Sequence, residues 1–245
     1  MGDQVAGRAD QVRSLFDAKA ATWQAKYAPD GHLAGRLAQF AEALAAHVPA
    51  GGRVLDVGCG TGDLAQAADS ADLRVTACDI SAEMLGHAAA ADPRSAIAWV
   101  HLDPLWLRLP FESATFDAVI AASVLEYVGW PGTVLGECAR VLRPGGIVLC
   151  TVPDLRHPVR WLEWLAQAVA KLPMVRAVGG RWPRLDGYLA YLRLSRQRRC
   201  ARWWCAAAAR AGLLTGPAVV RPAGPAPLRL LTFRRPGGMG AGAGA

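Results

Sequence analysis

The stretch VLDVGCGTGD, Val54 to Asp63, sets three glycines in a G-x-G-x-G array directly behind an apolar run with β-branched residues. Such a run reads as a buried strand. Glycines immediately after it supply positive φ, let a ligand approach the backbone, and leave amide N–H groups free to donate at the start of the next helix. The spacing argues against two phosphate-binding loops. The dinucleotide fingerprint G-x-G-x-x-G needs glycine at position 63, where Asp63 stands, and a P-loop needs Gly-Lys-Ser/Thr. Asp63 also sets negative charge where a pyrophosphate would lie, so a ligand without phosphates fits better.

Outward from the loop, strand and helix patterns alternate. RVLDV, LRVTACD, AIAWVHL, FDAVIAAS and GIVLCTVP read as strands, the last entered through a turn at Pro144-Gly145-Gly146. Between them DLAQAADS, SAEMLGHAAAA and TVLGECARVLR read as helices, the second with Ser81 at its N-cap and Glu83 in its first turn. Upstream, residues 9–27 and 33–47 show apolar residues on a three-to-four spacing, and Gly51-Gly52 closes the second helix. The alternation predicts an α/β fold: a Rossmann-like, doubly wound sheet of about seven strands, mostly parallel, with ligands at the carboxyl ends of the strands. Past residue 155, VRWLEWLAQAVAKL, GYLAYLRLSRQ and RRCARWWCAAAARAG read as helices, and LLTGPAVV and PLRLLTF as strands at the sheet edge, the C-terminal one antiparallel.

A chain of 245 residues that is 53% hydrophobic can bury one α/β core with a modest extra lobe. We expect a single domain over residues 1–235, followed by a disordered Gly/Ala tail, PGGMGAGAGA, at 236–245. Charge is uneven: residues 1–154 hold 11 Lys+Arg against 18 Asp+Glu, a balance of −7, and residues 155–245 hold 16 against 2, a balance of +14. The first thirty residues are charged throughout and lack a signal-peptide core, and WLEWLAQAVAKLPMV is interrupted by Glu163, Lys171 and Pro173. The expected location is the cytoplasm, with peripheral membrane contact left open. Six cysteines without C-x-x-C spacing read as buried reduced thiols. No Ser/His/Asp arrangement, His/Cys cluster or H-E-x-x-H occurs, which speaks against a hydrolase and against a metal site.

The second strand ends in Cys78-Asp79-Ile80, with Asp79 seventeen residues past Gly62. A carboxylate there can accept both ribose hydroxyls, so loop and acid together specify an adenosine with free hydroxyls.

At this point the residues resemble the class I S-adenosylmethionine (SAM) dependent methyltransferases of the methyltransferase-11 type. The likeness rests on VLDVGCGTG, VTACDIS, LPFESATFDAVIAASVLEYV and VLRPGGIVLCTVP and is dense over residues 52–153. It implies a SAM-binding core there, N-terminal lid helices at 1–48, a helical acceptor lobe at 155–211 and C-terminal strands at 212–235. By the same resemblance Asp56, Gly58, Cys59, Gly60 and Gly62 line the methionine end, Asp79 takes the ribose, Ile80 packs on adenine, and Ser123 joins the site. Asp103 is the candidate for the adenine amino group, although it lies eight residues before Phe111, where the family pattern has about six and this chain has Leu105. Either HLDPLWLRLPF carries a two-residue insertion or a backbone group makes that contact.

FDAKAATWQAKY resembles the family's leading helix, which would turn Phe16, Trp23 and Tyr27 toward SAM or the acceptor, as against a plain core stripe. For a general base the chain offers His157, Glu126 and Tyr127, with His101 behind them. Trp161, Trp164, Trp182, Trp203 and Trp204, with Tyr188, Tyr191 and many arginines, would select the acceptor; the plainer reading puts Trp inward and Arg on exposed faces. The resemblance implies methyl transfer to O or N of a small organic acceptor, a metabolite, quinone or sugar, with release of S-adenosylhomocysteine (SAH). Nucleic acid ranks below a small molecule because the basic residues are scattered. An RNA or lipid-linked acceptor, or a SAM-binding regulatory protein without turnover, remain the alternatives.

Overall fold

The structure is a computed structural model that describes residues 2–169, 191–195, 197–215, 221–222 and 228–237. In chain order its elements are α1 (Gly2–Asp17), α2 (Ala20–Trp23), a 3-10 turn (Gln24–Tyr27), α3 (Ala34–His47), β1 (Arg53–Val57), α4 (Asp63–Asp69), β2 (Arg74–Asp79), α5 (Ala82–Ala90), β3 (Ala98–His101), β4 (Phe116–Ala122) and α6 (Pro131–Val141). There follow β5 (Leu142–Pro153), α7 (Val159–Val169), α8 (Ala201–Arg210), β6 (Leu214–Thr215), β7 (Arg221–Pro222) and β8 (Leu228–Arg234). The strands join in the order β3-β2-β1-β4-β5-β8-β6, with β7 on β8. β1 to β5 pair in parallel and β8 returns antiparallel against β5. This is the α/β doubly wound sheet that the alternating pattern predicts.

Both faces of the central strands are covered, which is why neighbouring positions of β1, Val54 and Leu55, are both apolar rather than alternating with polar residues. Val54 and Leu55, adjacent on β1, are both fully buried. Val54 packs with Phe40, Leu44 and Leu64 of α3 and α4. Leu55 packs on the other face with Leu135, Cys138 and Trp204 of α6 and α8.

Three local readings change. The helix expected over 9–27 is broken after Asp17: the Lys19 N–H donates to the Phe16 carbonyl at 3.0 Å, and the Thr22 N–H to the Lys19 carbonyl at 3.1 Å. Residues seven apart in a straight helix are about 10 Å apart along its axis; the break brings the Phe16 and Trp23 rings edge to face at 5.4 Å. Pro144-Gly145-Gly146 is not a turn before β5 but part of it, because Leu142 already pairs with Phe116 and the register slips before Ala118. Gly145 and Gly146 exchange backbone hydrogen bonds with Arg235 there, at 3.0 and 2.8 Å. Finally, α8 covers the sheet: Trp204 is fully buried in the core beside Ala207 and Ala208, with Trp203 packed against it, so neither belongs to a separate lobe.

Cys78, Cys138 and Cys150 are buried free thiols, but Cys200 is exposed, as a residue capping α8 from outside the core. Burial pushes Cys138 up to about 12. Trp182, Tyr188, residues 187–190 and 196 of GYLAYLRLSRQ, 216–220 of LLTGPAVV and the tail from 238 lie outside the described residues.

Candidate functional site

The carboxyl ends of β1, β2 and β4 and the N-terminal helices enclose a cavity of about 1050 Å³. Its floor is the glycine loop. The Gly58 and Cys59 N–H groups both donate to the Cys78 carbonyl, at 2.7 and 3.1 Å, which pins the loop to β2. Gly58 has φ +69°, and a Cβ there would come 2.3 Å from Cγ2 of Val124. Only glycine fits.

Asp79 closes the loop from the second strand. Its Oδ2 accepts the Gly60 N–H at 2.8 Å and its Oδ1 accepts the Ser81 N–H at 2.9 Å. Burial raises its pKa, and these bonds work in the opposite direction. Asp56, at the end of β1, differs: it is 1% exposed, and among the described residues neither carboxylate oxygen has a hydrogen-bond partner. Burial, and then the charge of Asp79, push its carboxyl up to about 8 against the pull of Arg36.

Arg36 reaches the cavity from α3 and is 2% exposed. Its guanidinium donates to the Tyr27 hydroxyl at 3.1 Å and to Ser123 Oγ at 2.8 Å, while Nε is buried with no partner among the described residues. The Ser123 N–H in turn donates to Thr151 Oγ1 at 2.9 Å, which ties α3 to the ends of β4 and β5. Two further cations come from the N-terminal segment. Lys26 Nζ sits 3.2 Å over the Trp23 ring, and Lys19 Nζ 4.9 Å over the Tyr191 ring. Burial, with the charges of Lys19 and Arg36, brings Lys26 down to about 7. Phe16, Tyr127 and Tyr191 form an aromatic wall, with centroids 5.1 and 5.9 Å apart.

Of the residues picked from sequence, Trp23, Tyr27, Asp56, Gly58, Cys59, Gly60, Asp79, Ile80, Ser123 and Tyr127 line this cavity, as does Phe16. The others that the structure describes, Tyr191 aside, are placed elsewhere. Gly62 is the left-handed residue that starts α4, packed under Trp99. Asp103 is exposed and its Oδ1 accepts the Leu105 N–H at 2.7 Å, so it holds the turn after β3. Glu126 lies buried behind the wall, where Ser195 Oγ donates to its Oε2. His157 enters α7: its N–H donates to the Asp154 carbonyl at 3.2 Å and its Nδ1 accepts the Val159 N–H at 3.3 Å. His101 is exposed at the end of β3, its ring beside the Ile80 carbonyl. Trp161 and Trp164 do not line the cavity and are each 65% exposed.

Sequence reasoning missed Arg36, Lys19 and Lys26. Arg36 did leave a signal: it shares the buried face of α3 with Phe40 and Leu44, at four-residue steps, and a cation on an apolar stripe needs a partner.

Comparison with known proteins agrees with this geometry. The family model described as a methyltransferase domain matches residues 55–150. An uncharacterized methyltransferase of Mycobacterium tuberculosis is 35% identical over 144 residues, which span 57% of this chain and 70% of that one. The ubiquinone biosynthesis O-methyltransferase of Dechloromonas aromatica is 32% identical over 158 residues, 63% of this chain and 62% of that one. In fold, the chain is similar to magnesium protoporphyrin IX methyltransferase from Synechocystis, solved with bound SAH, at a TM-score of 0.64 and 18% identity over 91% of this chain and 98% of that one. The chain belongs to the class I SAM-dependent methyltransferases.

Proposed function

We propose that the cavity binds SAM and directs its methyl group to an oxygen or nitrogen of a small organic acceptor. The observation that carries this reading is Asp56, a buried carboxylate with two unpartnered oxygens beside the glycine cradle. A ligand ammonium supplies the missing partner. Arg36, which lines the same cavity and whose Nε has no partner among the described residues, suits the carboxylate of the same amino-acid moiety. Asp79 has lone pairs left for ribose hydroxyls after accepting from Gly60 and Ser81, and Ile80 offers an apolar wall to the base.

When bound, SAM supplies a methyl group on a sulfonium, already electrophilic and in need of no acid. The chain has to orient, exclude water and receive a proton. Phe16, Tyr127 and Tyr191, their rings set edge-on and tilted to one another, give the acceptor an aromatic wall. Lys26, near neutral in pKa and on the same cavity, is placed to take up the acceptor's proton. That role passes to it from His157, which does not reach the cavity. The relative named for ubiquinone biosynthesis supports a small acceptor and oxygen as the atom methylated.

The test is calorimetry of the purified chain with SAM, SAH and NADH, beside Asp79→Ala. Binding of both sulfur ligands, lost in the folded variant, with no binding of NADH, supports the reading. A wild type that binds neither sulfur ligand overturns it.

A further inference from the structure

α7 is turned inside out. Trp161, Leu162, Trp164 and Leu165 are 65, 57, 65 and 41% exposed, while Glu163 on the same helix is 5% exposed. Glu163 accepts from Arg160 at 2.7 Å and from Arg198 at 2.5 Å. Burial alone would raise its pKa, but these two guanidiniums hold it below the usual carboxylate value. The polar face is therefore spent on internal ion pairs, and the apolar face is presented outward.

This is not scattered surface apolarity. Nine large apolar side chains are exposed among the described residues, and eight of them sit on α7, at Leu155 just before it, or at positions 105, 107 and 130. Leu105, Leu107 and Trp130 line the cavity, as do Val159 and Arg160 of α7. A monomer rarely leaves so concentrated an apolar set uncovered.

We propose that α7 and this rim of the cavity form a docking surface for an anionic lipid bilayer. Charge complementarity selects that occupant. From residue 155 onward the chain carries 16 Lys+Arg against 2 Asp+Glu, and one of those two acids is the inward-facing Glu163. Arg156 adjoins Leu155 just before α7 and Arg108 adjoins Leu107 on the rim, both exposed; the exposed acid nearest the rim in sequence is Asp103. Exposed tryptophan and leucine with exposed arginine next to them in sequence suit the headgroup boundary of an anionic bilayer. No helix among the described residues is long and apolar enough to cross a membrane, so the contact is peripheral. It would also set the cavity rim at the lipid surface, where an apolar acceptor could enter without crossing water. The docking itself does not depend on the methyltransferase reading.

The experiment is cosedimentation of the full chain with vesicles of phosphatidylglycerol and phosphatidylcholine in equal parts, and with phosphatidylcholine alone. Trp161→Gln/Trp164→Gln and Leu162→Gln/Leu165→Gln are compared with wild type, with thermal unfolding to establish that each folds; if one pair fails to fold, the other decides. The expected result is binding to the anionic vesicles, weaker on phosphatidylcholine, and a fall in partitioning of roughly tenfold or more in either variant. No binding by wild type, equal binding on both vesicles, or unchanged binding in the folded variants would overturn it, including the case where the variants instead dissociate a dimer of the chain.

Discussion

Asp56→Asn tests the site at the group that most needs a ligand. In the free protein the Asp56 carboxyl titrates at about 8, so at pH 7 about nine molecules in ten carry it neutral. A ligand ammonium placed against it favours the ionised form. Binding at pH 7 should therefore release close to one proton; at pH 9, where Asp56 is already mostly ionised and the ligand's amine must gain a proton to bind as the ammonium, no net release is expected. Calorimetric titration with SAH in phosphate and in Tris, which differ in ionisation enthalpy, counts that proton directly. Asp56→Asn should abolish the buffer dependence and weaken binding by about tenfold to a hundredfold, the range for a lost charge-assisted hydrogen bond of ~1.5–3 kcal/mol. Stability moves the other way. The folded-state pKa is raised from 3.8, so the neutral acid costs nothing below pH 4, and the penalty of ionisation accumulates as pH rises to about 8. At about 1.4 kcal/mol per unit the ceiling is ~6 kcal/mol, reduced by any relaxation that lets water in. The melting temperature of Asp56→Asn relative to wild type should thus climb between pH 5 and 8 and level off above. SAH binding at pH 7 whose enthalpy is the same in both buffers, or a variant whose relative stability is flat with pH, would refute the reasoning.

Arg36→Met removes the buried guanidinium that bridges Tyr27 and Ser123, and should weaken SAH binding by about tenfold or more while Arg36→Lys keeps part of it, as titration calorimetry will show. Gly62→Ala places a Cβ 2.5 Å from the Trp99 ring at φ +79°. A loss of ~2 kcal/mol or more in urea unfolding is expected, largely without change in the affinity of the folded fraction. His157→Ala should leave SAH affinity and turnover within about twofold of wild type, since its ring only accepts from the Val159 backbone; a tenfold fall in turnover would return it to the candidates for general base.

The sheet was legible because its signals are local. Five apolar runs of strand length, punctuated by Gly58, Ser81 and the Pro144-Gly145-Gly146 segment, specify alternation and, through it, parallel pairing. The floor of the site was legible for the same reason: Asp56, Gly58, Gly60 and Asp79 follow directly from where their strands stop. What was not legible depends on distant segments meeting. Arg36 becomes a site residue only when α3 packs against the ends of β4 and β5, through Ser123 and Thr151. Trp203 and Trp204 read as part of an acceptor lobe because Trp among Arg has the same local pattern whether it faces a ligand or the sheet. Asp103 and His157 have the right chemistry, yet each is consumed by the first backbone N–H that follows it, a short-range competition common for Asp and available to His. Lys26 owes its lowered pKa to burial and to two cations that reach it from different segments, Lys19 and Arg36.

The charges of the site also explain why one ligand class suits it. The charge of Asp79 raises the cost of ionising Asp56, and Arg36 offsets that cost without contacting Asp56 among the hydrogen bonds of the described residues. A purely cationic ligand would satisfy the acids and be opposed by Arg36, Lys19 and Lys26; an anionic one would meet the reverse. A ligand that carries an ammonium, a carboxylate and ribose hydroxyls on one short frame satisfies Asp56, Arg36 and Asp79 together and leaves the cations over Trp23 and Tyr191 free for the second substrate. The buried, unpartnered state of Asp56 is then a consequence of the ligand's own charge pattern: the free protein bears the cost of desolvating the acid, and that cost is returned as discrimination when a matching ammonium arrives.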